Sequence, residues 1–223
     1  MSDTEIIITA DGSHSLRNRV MDETYHSVHG AVQESLHVFI KSGLDFLMGQ
    51  SHSPDVRILE MGLGTGLNAF LTCRHVAEGK QKIFYTSVEA FPLEEDVWSK
   101  LNYADSPDLK SIFARLHQVS WESFQSLSPN FQIRKVRAKM QEMNLEPESF
   151  DLVYYDAFAP SKQPEMWELP ILKNVADSMK PGGVFVTYCA KGQLKRDLVS
   201  VGLKVETLQG PPGKKEMIRA HKA

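Results

Sequence analysis

The run Val56-Arg57-Ile58-Leu59-Glu60-Met61 leads without a break into Gly62-Leu63-Gly64-Thr65-Gly66. No other stretch restricts the fold as strongly. A short apolar run bounded by glycines reads as a buried strand. Glycines directly after a strand let the backbone turn sharply and let a ligand approach main-chain N–H groups. Leu67, Phe70, Leu71 and Val76 then lie near helical spacing. Strand, glycine turn and helix together open a Rossmann-like α/β sheet, in which ligands bind at the carboxyl ends of the strands.

The same alternation continues to the C-terminus. Residues 83–88 form a second strand that ends at Glu89, and Pro92 opens a helix carrying Leu93, Val97, Trp98 and Leu101. Residues 115–119 read as a weaker strand, and 131–149 stay open between strand and helix. Residues 150–155 make a strong strand ending at Asp156. A helix over about 165–179 follows, with a kink expected at Pro170. Lys180-Pro181-Gly182-Gly183 reads as a turn, 184–189 as a buried strand and 192–201 as a helix. Segments 205–208 and 216–221 pair as an antiparallel hairpin across Gly210-Pro211-Pro212-Gly213. The N-terminal residues stand apart, with a hairpin around Asp11-Gly12 and a helix over about 31–48. The expected architecture is one domain over 1–223. An extension (1–52) packs on a Rossmann-like core (53–223) with a mostly parallel sheet and a C-terminal antiparallel hairpin.

The spacing of the glycines selects the ligand. Dinucleotide-binding turns place the third glycine three residues after the second. Here that position is Leu67, and the third glycine comes one residue early. Glu60 also stands two residues before the first glycine. A carboxylate there suits a cation better than a pyrophosphate. S-adenosylmethionine carries a sulfonium and an ammonium and no phosphate, so this pattern points to a methyltransferase. Glu89 adds an acceptor-only carboxylate that suits the two ribose hydroxyls of an adenosine. Asp156 falls on the same sheet edge. Methyl transfer needs alignment above all. An amine nucleophile must also shed its proton, and Asp156 is the candidate acceptor. Phe158, Pro160 and Trp167 crowd the following loop, where aromatic rings can sandwich a planar base.

Composition bounds the partners. The 223 residues carry 25 Lys and Arg against 28 Asp and Glu, a net charge of −3, which argues against non-specific coating of nucleic acid. Residues 191–223 nevertheless hold eight basic against three acidic residues, and Arg134, Lys135, Arg137 and Lys139 form a second cluster. Phosphate neutralisation needs that local density. No apolar run reaches the roughly 20 residues of a membrane span, and the N-terminus lacks a signal-peptide pattern, so a cytoplasmic protein is expected. Cys73 and Cys189 read as buried free thiols. The histidines at 14, 26, 29 and 37 fit no metal-site spacing, so no metal is assigned.

Four strings carry a resemblance. They are Leu59-Glu60-Met61-Gly62-Leu63-Gly64-Thr65-Gly66-Leu67-Asn68, Glu89-Ala90-Phe91-Pro92-Leu93, the run from Asp156 to Trp167, and Gly210-Pro211-Pro212-Gly213-Lys214-Lys215-Glu216-Met217. Together with Lys180-Pro181-Gly182-Gly183 they resemble the methyltransferase part of the MnmC family, which modifies the wobble uridine of certain tRNAs. The resemblance implies methylation of the exocyclic amine of 5-aminomethyluridine or its 2-thio form. It implies that Glu60, Gly62, Leu63, Gly64, Thr65, Gly66, Asn68, Glu89 and Ala90 line the cofactor site. It implies that Phe158, Pro160 and Trp167 face the uridine, and that Lys214 and Lys215 meet tRNA phosphates. Bifunctional members carry an FAD-dependent oxidase domain, for which this chain has no room. Many methyltransferases of this class hold adenine with an Asp after a middle strand. Here that stretch reads His117-Gln118-Val119-Ser120-Trp121-Glu122, which assigns adenine to Ser120 and Trp121. Two other readings stand beside this one. One is a methyltransferase of a small molecule or protein. The other is a non-catalytic adenosine-binding module.

Overall fold

The computed structural model describes residues 4–50 and 53–223; residues 1–3, 51 and 52, at the ends of the expected extension, lie outside the described residues. The chain begins with a small antiparallel sheet, β1 (Thr4–Ile8), β2 (His14–Asn18) and β3 (Glu23–Thr24). The expected hairpin around Asp11-Gly12 joins β1 to β2 in the register Ile6↔Leu16. A continuous helical stretch follows, made of α1 (Ala31–Ser35), a wider π-helical section (Leu36–Asp45) and α2 (Phe46–Gln50).

The N-terminus of α1 is capped by the hairpin turn and not by its own sequence. The N–H groups of Ala31, Val32 and Gln33 donate to Thr9 Oγ1 (3.2 Å), Ser13 Oγ (3.3 Å) and Asp11 Oδ2 (3.0 Å). These are the donors that a helix start leaves orphaned. Asp11 Oδ1 in turn accepts from the hydroxyls of Thr9 and Ser13, at 2.7 and 2.5 Å, which aims both of them. Asp11→Ala is therefore expected to destabilise the fold by about 2 kcal/mol, at the upper end of cap substitutions. A urea unfolding midpoint that does not move would show that water caps this helix instead.

The core sheet has eight strands. They are β4 (Asp55–Met61), β5 (Lys82–Val88), β6 (Gln125–Ser128), β7 (Phe131–Val136), β8 (Phe150–Tyr155), β9 (Met179–Thr187), β10 (Leu203–Gln209) and β11 (Glu216–Lys222). Their order is β10-β11-β9-β8-β4-β5-β7-β6. The five middle strands are parallel, and an antiparallel pair closes each edge. This is the mostly parallel sheet with a C-terminal hairpin that the sequence leads one to expect. Both faces are covered. Ile58, Leu152, Tyr154 and Val186 pack into one cluster, and Leu59, Val153, Tyr155 and Phe185 into the other. Neighbouring residues alternate faces, so a strand buried on both sides reads as an unbroken apolar run. The helices are α3 (Leu67–His75), α4 (Glu95–Trp98), α5 (Pro107–Gln118), α6 (Leu169–Ser178) and α7 (Gly192–Ser200).

Several local expectations are overturned. Residues 115–118 are not a strand but the end of α5, with Val119 as its C-cap. The helix start was written as Ser106-Pro107: the Ser106 side chain accepts from Leu109 N, and proline sits in the first turn. Pro92 opens no helix; α4 is a single turn that starts at Glu95. Pro170 does not kink a helix begun at 165. It lies in the first turn of α6, after a separate 3₁₀ turn over Pro164–Trp167. Residues 180–183 bulge within β9, where Phe150↔Met179 is followed by Leu152↔Val184, and that strand stops at Thr187.

The open segment 131–149 contains β7, the third parallel strand on that side. Its inward positions are Phe131, Ile133 and Lys135. A buried lysine in the third position broke the apolar alternation. Lys135 Nζ donates to the His117 carbonyl at 2.5 Å and lies 4.8 Å from the Trp121 ring centre. Burial lowers its pKa to about 8. Half of the second basic cluster is thus structural, since Arg134 also packs over the Phe124 ring.

Candidate active site

The glycine turn after β4 sits where the sheet order reverses, with β5 on one side of β4 and β8 on the other. That is where open α/β sheets leave a crevice. A cavity of about 1260 Å³ opens there, larger than the roughly 300–1,000 Å³ of an ordinary small-molecule site. Among the predicted residues, Gly62, Leu63, Gly64, Thr65 and Asn68 border it, as do Glu89, Ala90, Asp156 and Phe158. The residues expected from β4, β5 and β8 therefore meet at one edge.

The fixed positions follow from the turn. Gly64 has φ +49°, and an added Cβ would meet the Tyr25 ring at 3.2 Å. Its N–H donates to Glu89 Oε2 at 2.9 Å, while Glu89 Oε1 accepts from Phe91 N at 2.8 Å. Both oxygens are thus oriented by main chain, with lone pairs left for a diol. Asp156 is half-buried, and Asn68 Nδ2 donates to its Oδ2 at 2.8 Å. Desolvation lifts the Asp156 carboxyl to about 7, with Glu34 adding to the rise; the Asn68 amide and Lys214 oppose it.

Other predicted residues stand elsewhere. Glu60 does not line the cavity. It lies fully buried beneath it, accepting from Ser87 Oγ at 2.7 Å, because its strand position faces the α3 layer. Burial lifts its carboxyl to about 8, and Asp156 adds to this. Gly66 turns inward, where a Cβ would meet Leu116 and His117 at 2.9 Å; it serves close packing of α5. Ser120 and Trp121 are away from the cavity. Trp121 bridges to Lys135 at the sheet and lies over its ammonium. With 115–118 helical, the strand that precedes the cavity loop is β7. The loop that reaches the cavity after it is 138–142, through Ala138, Lys139, Met140, Gln141 and Glu142.

Trp167 and Pro160 are also outside the cavity wall. Trp167 is buried, and its Nε1 donates to the Phe158 carbonyl at 2.7 Å. It fixes the loop that presents Phe158. Lys215 is exposed and outside the cavity, whereas Lys214 lies in the cavity wall. The hairpin lysine's neighbours and not solvent decide that position: Lys214 pairs with Glu34 and covers the Tyr188 ring at 3.9 Å.

The N-terminal segment forms the roof, which the sequence did not reveal. Tyr25 packs edge-on against Phe158 with ring centres 5.0 Å apart. His26 Nδ1 and Ser15 Oγ are 3.1 Å apart, and burial lowers the imidazole to about 4, so it is neutral. Lys162 Nζ donates to the Met21 and Asp22 carbonyls at 2.9 and 3.0 Å, tying the Asp156 loop to this roof. Cys73 and Cys189 are free and buried, as expected. Among the described residues, no group of His, Cys, Asp or Glu could hold a metal ion, and no helix is long and apolar enough to cross a membrane.

The donor and acceptor set fits a cationic adenosine ligand. Among the described residues, seven carboxylates and two lysines face the cavity. Asn68 Oδ1 is buried beside Asp156 without a hydrogen-bond partner. An acceptor left unsatisfied in a buried site is costly unless a ligand donor meets it. An ammonium would supply one, and a pyrophosphate would be repelled.

Comparisons with known proteins agree. Residues 102–223 match a family of S-adenosyl-L-methionine-dependent methyltransferases. The tRNA 5-methylaminomethyl-2-thiouridine biosynthesis bifunctional protein MnmC of Leptospira interrogans is 31% identical over 220 residues, covering 88% of this chain and 32% of that protein. The protein of the same name from Pseudoalteromonas atlantica is 29% identical, with 96% and 33% covered. The chain thus spans about a third of the length of these relatives. The crystal structure of MNMC2 from Aquifex aeolicus superposes with a TM-score of 0.81 at 26% identity, over 100% of this chain and 71% of that one. Spermidine synthase from Thermotoga maritima shares the fold, with a TM-score of 0.62 at 15% identity, over 100% and 70%.

Proposed function

The chain belongs to the S-adenosyl-L-methionine-dependent methyltransferase family, and from that premise we propose that it methylates the exocyclic amine of 5-aminomethyluridine, or its 2-thio form, at the tRNA wobble position. Asp156 carries the reading. It is a half-buried carboxylate on the cavity, held by Asn68 and lifted to about 7. A primary amine is protonated at neutral pH and has no lone pair to offer. A carboxylate of ordinary acidity is a poor acceptor for that proton, and one poised near 7 is a better one. Asp156 binds the ammonium, takes its proton and leaves the nitrogen lone pair aimed into the cavity. S-adenosylmethionine, when bound, would supply an electrophilic methyl group to that lone pair and leave as the neutral thioether.

Glu89 would hold the ribose hydroxyls, Asn68 Oδ1 the cofactor ammonium, and Met140 to Glu142 the adenine edge. Glu60, lifted to about 8 by burial, lies beneath the site, and a cation bound above it would draw it toward its ionised form. Phe158, braced edge-on by Tyr25, would offer a ring face on which the uracil could stack. The names of the relatives support tRNA as the carrier of the amine. The domain reading becomes a single unit whose extension completes the site, and a cytoplasmic location follows from a tRNA substrate.

The acid-lined cavity has a consequence for tRNA. The sugar–phosphate chain stays outside, and only the base and its amine enter. Lys191 and Lys215 make no ion pair among the described residues, whereas Lys195 and Arg219 each sit 2.8 Å from a glutamate. A few phosphate contacts remain available. The same cavity favours a free amine as a second reading. Methyl transfer to tRNA lacking only this methyl group separates the two. The KM for tRNA is expected to rise steeply with salt. Equal activity on the free nucleoside, insensitive to salt, would overturn the tRNA reading.

A further inference from the structure

Three distant parts of the chain converge beside Asp156. Glu34 comes from α1, Lys214 from the turn between β10 and β11, and Tyr188 from just after β9. Glu34 and Lys214 are 180 residues apart, and Lys214 Nζ donates to Glu34 Oε1. The other oxygen of Glu34 accepts from Ser27 N at 2.7 Å, in the roof segment. Glu34 is 5% exposed, so a carboxylate there needs a partner. The Lys214 ammonium rests 3.9 Å from the centre of the Tyr188 ring. Tyr188 Oη donates to the Ala157 carbonyl at 2.9 Å, one residue from Asp156. Both Glu34 and Lys214 border the cavity.

We propose that Glu34 and Lys214 are a positioning pair for Asp156, joining the extension and the C-terminal hairpin to the reaction cavity and holding one negative and one positive charge within reach of its carboxylate. This rests on the reading of Asp156 as proton acceptor. Among the described residues, the charged and titratable groups that face Asp156 are Glu34 from α1, Glu60 from β4, Tyr85 from β5, Tyr188 just after β9 and Lys214 from the hairpin turn. Asn68 from α3 adds only an amide. Lys214 is the one cation in this set, and it faces two carboxylates that share the cavity wall. Like charges on one partly buried wall resist joint ionisation. Without Lys214, the Glu34 carboxylate acts on Asp156 unopposed, and Asp156 holds its proton to higher pH. Without Glu34, Lys214 acts on Asp156 alone and favours its ionised form.

The test is a cycle of variants read by pH. In Lys214→Met, the acid limb of kcat/KM should move up by about one unit, about a fivefold loss at pH 7 that grows to about tenfold below it and is recovered in alkali. Glu34→Gln should move it down. The double variant should return it near its starting point, and Lys214→Arg should keep it there. The Asp156 carboxyl is followed separately by 13C NMR titration, assigned by its loss in Asp156→Asn. This readout needs no tRNA, so it decides the pairing even where the wild-type chain leaves tRNA unmethylated. A circular dichroism melt of each variant accompanies the titration, and the double variant, with no unpaired buried charge, keeps the comparison open if a single variant unfolds. An unmoved acid limb and NMR titration in Lys214→Met, with a raised KM for tRNA and a shallower salt slope, would make Lys214 a phosphate ligand and overturn the pair.

Discussion

Asp156→Asn is expected to slow methyl transfer by about 10²- to 10⁴-fold, the range over which a positioned general base acts. Cofactor affinity should stay within a few-fold. Asparagine keeps the shape, and its oxygen can still accept from Asn68 Nδ2. What is lost is a proton acceptor and a counter-charge for the incoming ammonium. The pH profile provides a second reading. In the wild-type chain the rate should climb as pH rises through about 7, where Asp156 ionises, and this limb should vanish in the variant. Stability runs the opposite way. Burial raises both Asp156 and Glu60, to about 7 and about 8. Between their unfolded values and these, the folded chain holds protons that the unfolded chain has released. Stability is therefore fullest below about pH 4 for these groups and is lost as pH rises toward 8. Asp156→Asn should gain stability relative to wild type at pH 8, and gain none at pH 4. Single-turnover assays with pre-bound cofactor measure the first effect, and urea unfolding at two pH values the second. Undiminished turnover in the variant would remove Asp156 from the chemistry.

The sheet edge was legible because its residues are local. Glu89 and Asp156 each directly follow a mostly buried strand, and an acid at that point lies at the carboxyl edge whatever the rest of the chain does. The glycine turn carries the same kind of information. Glu60 shows where this reasoning stops. Its sequence position fixes the strand but not which of two buried faces it points to, and one residue of offset separates a cavity wall from the layer beneath. Ser120 and Trp121 fall away from the cavity for a different reason. Lys135 interrupts the apolar alternation of β7, and its partner is the carbonyl of His117, a contact across 18 residues. Ser106-Pro107 was the clearer signal nearby, and it makes 115–118 helical. The roof and the Glu34–Lys214 pair were out of reach altogether. Tyr25 touches Phe158, and Lys214 touches Glu34, only after the whole sheet has closed. Lys214 was grouped with the basic C-terminal segment, since a lysine in a Gly-Pro-rich turn carries no local mark of burial.

Glu89→Ala should weaken binding of S-adenosylmethionine and of its demethylated product by about 100-fold. The carboxylate is fixed from two directions, by Gly64 N at 2.9 Å and Phe91 N at 2.8 Å. Such an acceptor is pre-organised and gives up little freedom when a diol arrives. Two hydrogen bonds to a charged group, each worth at least about 1.5 kcal/mol, correspond to about 3 kcal/mol, and that is about 100-fold in affinity. Glu89→Gln keeps one acceptor oxygen and should fall between the two. The loss must come from the ligand and not from the turn. Gly64 has a positive φ that glycine tolerates unaided, and its freed N–H faces a water-accessible cavity, so the melting temperature should change little. Titration calorimetry with the product gives the affinity without turnover. Equal affinity in the alanine variant would mean that the ribose lies elsewhere in the cavity. Asp156 would then lose the distance relation to the methyl donor on which its role depends.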